Sequence, residues 1–174
     1  MKAQQQIISP QDIVILLKIV ALGNTAWLQN SLAESLRISQ SEVSKSLMRS
    51  KYAGFLDFSG KKVSRFALME FLQYGIRYAF PQQPGALVRG VPTAHSAPPL
   101  NGVIQSGEHY VWASGTGTLR GQSILPLYPS VVAAIKEDTV LYELLALVDA
   151  IRVGRAREKE LAILELKKRI VDGE

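Results

Sequence analysis

The chain has 174 residues, of which 47% are hydrophobic, with 20 Lys and Arg against 15 Asp and Glu. That is apolar material for one substantial core, or for a small domain plus an assembly module, and the absence of Cys excludes disulfides, thiolate catalysis and cysteine metal sites. The charge is uneven: residues 1–80 carry ten basic side chains against five acids and residues 81–174 carry ten against ten, so the excess of +5 sits entirely where a polyanion would be met.

The polar start at residues 1–6 lacks the apolar core of a signal peptide. The longest apolar run, residues 13–22, is interrupted by Lys18 and is too short to span a bilayer. A cytoplasmic protein without membrane association is expected. Ser9, Pro10 and Asp12 mark a strong helix start, and the helix to about residue 21 is apolar nearly all round, as a buried central helix would be. Gly23 and Asn24 stop it.

Residues 30–56 are the most informative stretch. Ala33, between Leu32 and Leu36, supplies the small residue at which a second helix can cross the first, and Ile38 closes the turn. Arg37 stands where many such turns have Gly, at little cost if it stays outside the left-handed region. Ser39 with Glu42 three residues on forms a capping box, so a second helix begins at Gln40. On it Val43 and Leu47 share one face with Ser46 against the partner helix. Gln40, Ser41, Ser44, Lys45, Met48 and Arg49 fall on the other, an outer face with short donors, two cations and no acid. Ser and Gln reach base edges and phosphates, and Lys and Arg supply charge and guanine contacts. With Lys51, this is the composition of a DNA recognition helix.

The helix ends at Gly54. A short apolar strand, a turn at Ser59-Gly60 and Lys61-Lys62-Val63 then read as a small basic wing. Here the run SEVSKSLMRSKYAGFL resembles the SxVSRxLxxLxxxGL pattern of MarR-like winged helix-turn-helix regulators, over roughly residues 10–80. That resemblance implies a homodimeric transcription regulator that inserts the second helix in the major groove and rests its wing on the neighbouring backbone. It matches Ser41, Ser44, Lys45 and Arg49 to groove-facing positions and Lys61 and Lys62 to the wing tip.

From residue 64 to 80 a further helix is expected, with Phe66, Met69, Leu72 and Ile76 on its buried face. Residues 81–129 hold seven of the eight prolines and seven glycines, and read as an extended segment with short strands at 108–113 and 123–127. Its apolar and aromatic residues argue for burial rather than a disordered linker. The run from Gly115 to Gly121 looks like a phosphate loop but lacks the GxxxxGK[ST] spacing and a helix behind it, and is read as a hairpin turn. His95 and His109 are the only histidines and Glu108 the only acid from Phe71 to Lys136, too few groups there for a metal site or a tuned acid–base pair; both His are expected in loops or at the surface. Tyr110 and Trp112 could line an effector pocket.

Asp138 caps a helix to Val153 with Leu141, Leu144, Leu145, Val148 and Ile151 on one broad face, ended by Gly154. A second helix from about 155 to 170 carries Leu161, Leu164 and Ile170. This helical hairpin reads as a dimerisation module. Arg152, Arg155 and Arg157 are expected to cap the first helix or pair with nearby acids rather than touch DNA flanks. The segments GVPTAHSAPPL, RGQSILPLYPS and LYELLALVDAIRVGRAR resemble small bacterial regulator-like proteins of uncertain role, some in toxin–antitoxin style operons.

The expected architecture is mainly α with a small β wing: a winged helix-turn-helix domain at 1–80, the extended segment at 81–129 and an assembly hairpin at 130–174. The expected function is a non-enzymatic, sequence-specific binder of double-stranded DNA, a homodimeric repressor that regulates its own operon, with no cofactor and no metal. The alternative is an antitoxin or adaptor that holds a partner protein from the same operon through residues 81–174.

Overall fold

A computed structural model of the protein describes residues 6–173; the polar start at 1–5 lies outside them. Helix α1 (Pro10–Ala21) begins where the Ser9 N–H donates to the Asp12 carboxylate at 2.8 Å. Ile13, Val14, Ile15, Leu16 and Leu17 are all fully buried, so α1 is the central helix its composition demands. Gly23, at φ 61°, turns the chain away from it. Helices α2 (Gln29–Leu36) and α3 (Gln40–Tyr52) follow, joined by Arg37, Ile38 and Ser39. Arg37 takes the left-handed conformation (φ 55°, ψ 44°), the case in which a non-glycine residue there carries a cost: the N–H groups of Arg37 and Ile38 close the end of α2 onto Glu34 and Ala33 carbonyls, which fixes the turn there whatever the side chain.

The helix expected over 64–80 is two helices, α4 (Arg65–Tyr74) and α5 (Ile76–Ala79), broken at Gly75. A Cβ at Gly75 would lie 2.8 Å from the Phe71 ring, which packs between Phe55 and Phe80. The buried face is Leu68, Met69, Leu72 and Ile76. Phe66 is not part of it, being 77% exposed, because it lies nearly half a turn round the helix from Leu68.

The Pro- and Gly-rich segment forms three strands, β1 (Leu87–Pro92), β2 (Tyr110–Ala113) and β3 (Leu119–Ser123). Strand β2 falls inside the expected 108–113; β3 precedes the expected 123–127, and β1 had no clear alternation to reveal it. Each strand pairs with both others in a closed miniature barrel: β1 runs antiparallel to β2 (Val91 opposite Trp112) and to β3 (Val88 opposite Gly121), leaving β2 and β3 parallel. The loop from Gly115 therefore does not make a hairpin. Closure needs backbones to touch, so a Cβ at Gly90 would sit 2.0 Å from the Trp112 carbonyl oxygen, and one at Gly117 only 2.2 Å from the Gly90 carbonyl carbon.

A short α6 (Val131–Ala134) leads to α7 (Thr139–Val153), capped by Asp138 accepting from the Leu141 N–H at 2.9 Å, and then α8 (Ala156–Lys167), which widens into a π-helical turn at Lys168–Asp172. The expected dimerisation role of this pair meets a plain obstacle. Every residue of α7 from Leu144 to Arg152 is buried in its own chain, against α1, α5, α8 and the Ala94–Ser96 turn. On α8 the inward residues are Ala162 and Leu166, joined by Ile170 of the π-helical turn, while Leu164 is half exposed. Lys18 of α1 pairs with Asp138 at 2.6 Å and Arg65 donates to the Ile170 carbonyl at 2.8 Å, so both chain halves build one contiguous core rather than separate modules.

The barrel is pinned to α7 by a buried polar hub. The Asp149 carboxylate, 1% exposed, accepts from Thr93 Oγ1 and Trp112 Nε1, both at 2.7 Å, and from Arg152 at 2.9 Å. Arg152 also donates to the carbonyls of Phe80 and Leu125. Burial pushes the Asp149 carboxyl above the ordinary carboxylate range, against the pull of Arg152 and its hydrogen bonds. Trp112 and Tyr110 are thus core residues, 1% and 8% exposed.

Candidate nucleic-acid interface

Helix α3 turns Val43, Ser46, Leu47 and Ser50 inward. Ser41, Lys45, Met48 and Tyr52 are all exposed, at helical spacing, and form an open stripe along its outer side. Gln40 is exposed at the N-terminal end and Lys51 at the C-terminal end, while Ser44 is half-buried at the edge. Ser39 accepts from the Glu42 N–H at 3.2 Å, as a cap should. The return half of the capping box is absent: the Glu42 carboxylate instead accepts from Gln11 at 2.8 Å and Tyr128 at 3.2 Å, which draws this acid off the outer stripe.

Arg49 is a correction. Its guanidinium forms a two-pronged pair with Asp12, Nε at 2.9 Å and Nη2 at 2.7 Å, with Ser9 Oγ at 3.5 Å. Asp12 is fully buried, and it holds the Arg49 pKa above its ordinary value chiefly through this hydrogen bond. Arg49 therefore ties α3 to the start of α1. A carboxylate removed from water binds a guanidinium more strongly than a solvated phosphate could compete for it.

The hairpin after α3 is minimal, with Leu56 and Val63 as its one bridged pair. Its turn is tightly organised around Asp57, whose carboxylate accepts from Ser59 Oγ at 2.6 Å and from the Lys61 and Lys62 N–H groups at 3.4 and 3.3 Å. These bonds, Ser59 first, hold the Asp57 carboxyl below its ordinary value. Lys62 points to solvent. Lys61 folds back over the Trp27 ring, 4.2 Å from its centroid, and donates to the Trp27 carbonyl at 3.4 Å, so of the expected pair of tip lysines only Lys62 is without a partner among the described residues. The Lys51 stem runs beside Gly60 and brings the turn against the end of α3.

Two residues of this surface went unnoticed in the sequence. Tyr52 is exposed one turn after Met48, which its spacing could have shown. Phe58, 99% exposed in the Asp57 turn, carried no signal, because an aromatic next to a turn reads equally well as core. His95 is also a correction: it is buried, its Nε2 is 2.8 Å from the Glu108 carbonyl, and its ring packs edge-on to Tyr110, whereas His109 is exposed. Arg152 pairs with Asp149 as expected of that cluster, and Arg155 lies 3.5 Å from Glu108. Among the described residues no cluster of three His, Asp or Glu is placed to hold a metal ion, and no helix is long and apolar enough to cross a membrane. No known protein family, characterised protein or solved structure matches this chain.

Proposed function

We propose that α2, the Arg37–Ser39 turn, α3 and the Asp57 hairpin form a winged helix-turn-helix, and that the protein is a DNA-binding transcription regulator. The observation that carries this reading is the outer stripe of α3, where Ser41, Lys45 and Met48 stand open with Gln40 and Lys51 at either end and no acid among them. Short donors offer contacts to base edges and phosphates, and Lys45, Lys51 and Lys62, exposed and without an ion pair among the described residues, offer cations to a polyanion. A repressor acting on its own operon as a two-fold dimer belongs to this reading, since two copies would present two α3 helices to successive major grooves. With α7 internal, half-exposed Val140 and Leu164 are what the C-terminal pair leaves for a second copy.

The test is titration onto the protein's own promoter DNA and onto shuffled DNA at two salt concentrations, beside a Lys45→Ala, Lys51→Ala, Lys62→Ala variant. Tight sequence-dependent binding is expected in the wild type, with the salt slope falling by roughly one for each lysine removed. Weak, equal binding to both DNAs would overturn the regulator.

A second reading, an adaptor or antitoxin holding a protein from the same operon, is favoured by one surface, which lies outside the residues 81–174 expected to hold that partner. Phe66, Tyr74 and Tyr78 lie exposed along α4 and α5 with Glu70 among them. Co-purification with the neighbouring gene product, lost in Tyr74→Ala, Tyr78→Ala, is the outcome it expects.

A further inference from the structure

The miniature barrel carries a concentration of positive charge that its fold does not neutralise. Arg89 of β1 and Arg120 of β3 are direct register partners in an antiparallel pair, and both are exposed. Directly opposed residues project to the same face with Cβ atoms roughly 4.5–5.5 Å apart, and like charges so placed repel. A neighbouring carboxylate would ordinarily relieve them. Glu108 is the only acid from Phe71 to Lys136, and it lies against Arg155. Among the described residues neither Arg89 nor Arg120 forms an ion pair.

The two arginines, with Gly117, Thr118 and Leu119, line an open cavity of about 460 Å³. Gly117 contributes no side chain to this lining and is pressed on the Gly90 backbone too closely for one. The adjoining turn is held in shape by the Gly117 N–H donating to the Ser114 carbonyl at 3.1 Å and by the 3.1 Å contact of the Ser114 and Thr116 hydroxyls. The result is a small concave surface lined by two exposed arginines and a threonine. No helix begins behind this loop, so anion affinity would come from side chains rather than from a helix N-terminus.

We propose that Arg89 and Arg120 form a binding site for a phosphate group. A phosphate oxyanion cancels the repulsion between the two strands and offers planar guanidinium groups the acceptor geometry they match best. The phosphate belongs either to a nucleic-acid backbone or to a small phosphorylated molecule. The site shares no residue with α3, and its failure leaves the regulator reading untouched.

The experiment follows the arginine Nε–H signals by NMR and the melting temperature while pyrophosphate, or a ten-base-pair DNA duplex, is added to wild type, Arg120→Glu and Arg120→Gln, with sodium chloride at matched ionic strength as the control. In wild type the Arg89 and Arg120 signals move together and saturate, and the melting temperature rises beyond the salt control. Without ligand Arg120→Glu melts above wild type, since it turns a repelling pair into an attracting one. In both variants the affinity falls by about tenfold or more, the loss of a charge-assisted hydrogen bond. Response to pyrophosphate alone identifies a small phosphorylated ligand, and response of these two signals to the duplex alone identifies a phosphodiester backbone; either supports the site. A wild-type response no larger than that to sodium chloride, or one preserved in both variants, overturns it.

Discussion

Replacing Arg49 with Ala tests whether this side chain is a reader of DNA or a strut of the fold. The substitution removes two charge-assisted hydrogen bonds, at 2.9 and 2.7 Å, from a carboxylate that no solvent reaches. Removing one partner of a buried pair costs roughly 3–5 kcal/mol. Arg49 is 22% exposed, so water enters the vacated space, and Asp12 keeps the Ser9 N–H, which together lower the expected loss to about 2–4 kcal/mol. Against a total stability on the order of 5–15 kcal/mol this is a large fraction. Urea unfolding followed by the fluorescence of buried Trp112 measures it. Asp12→Ala should cost a similar amount, and the double variant clearly less than the sum, because the second truncation removes a charge that the first left stranded. An Arg49→Ala protein that loses less than about 1 kcal/mol, within the range of ordinary surface changes, yet no longer binds promoter DNA, would refute the reasoning and return Arg49 to the groove.

Other outcomes follow from single features. Arg37→Gly should stabilise the protein by up to about 1 kcal/mol in the same urea assay, since it relieves a left-handed residue at φ 55°; a loss would show that the Arg37 side chain contributes more than its backbone costs. Gly117→Ala should destabilise by about 1–3 kcal/mol and Gly115→Ala by far less, because a Cβ at 117 runs into the Gly90 backbone while at 115 it meets open space; equal effects would contradict barrel closure. The Tyr142 hydroxyl donates to the Pro92 carbonyl at 2.6 Å, and burial raises its pKa from 10.0 to about 12. A raised folded pKa adds stability that is present below pH 10.0 and lost as pH climbs through about 12. A tyrosinate titration should therefore lose its last component in Tyr142→Phe. The Asp57 carboxyl has the opposite sign: its contribution to the hairpin turn holds above the ordinary value of 3.8 and fails as pH falls through the lowered folded value. Amide exchange of Lys61 and Lys62 that stayed constant through that acid range would contradict the hydrogen-bond pattern.

Local chemistry decided much of this protein without reference to the rest of the chain. Pro10 with Asp12, Ser39 before Gln40, Asp138 before Thr139 and Gly54 each act within one helical turn, so the starts of α1, α3 and α7 and the end of α3 were legible in the sequence. The inward spacing of Val43, Ser46 and Leu47 was equally legible, and with it the outer stripe of Ser41, Lys45 and Met48. Tertiary structure alone decided which charges stay free. Asp12 and Arg49 lie 37 residues apart, Thr93 and Asp149 56, and no periodicity links them, so only folding could withdraw Arg49 from the outer face of α3 and join the barrel to α7. The barrel was hidden for the same reason: its strands are four to six residues long, and their glycines, which read as turns, are there to let backbones touch. Helix α7 looked as though it sought a second chain because a broad apolar face says how much surface must be buried and not against what; its own chain supplies the cover.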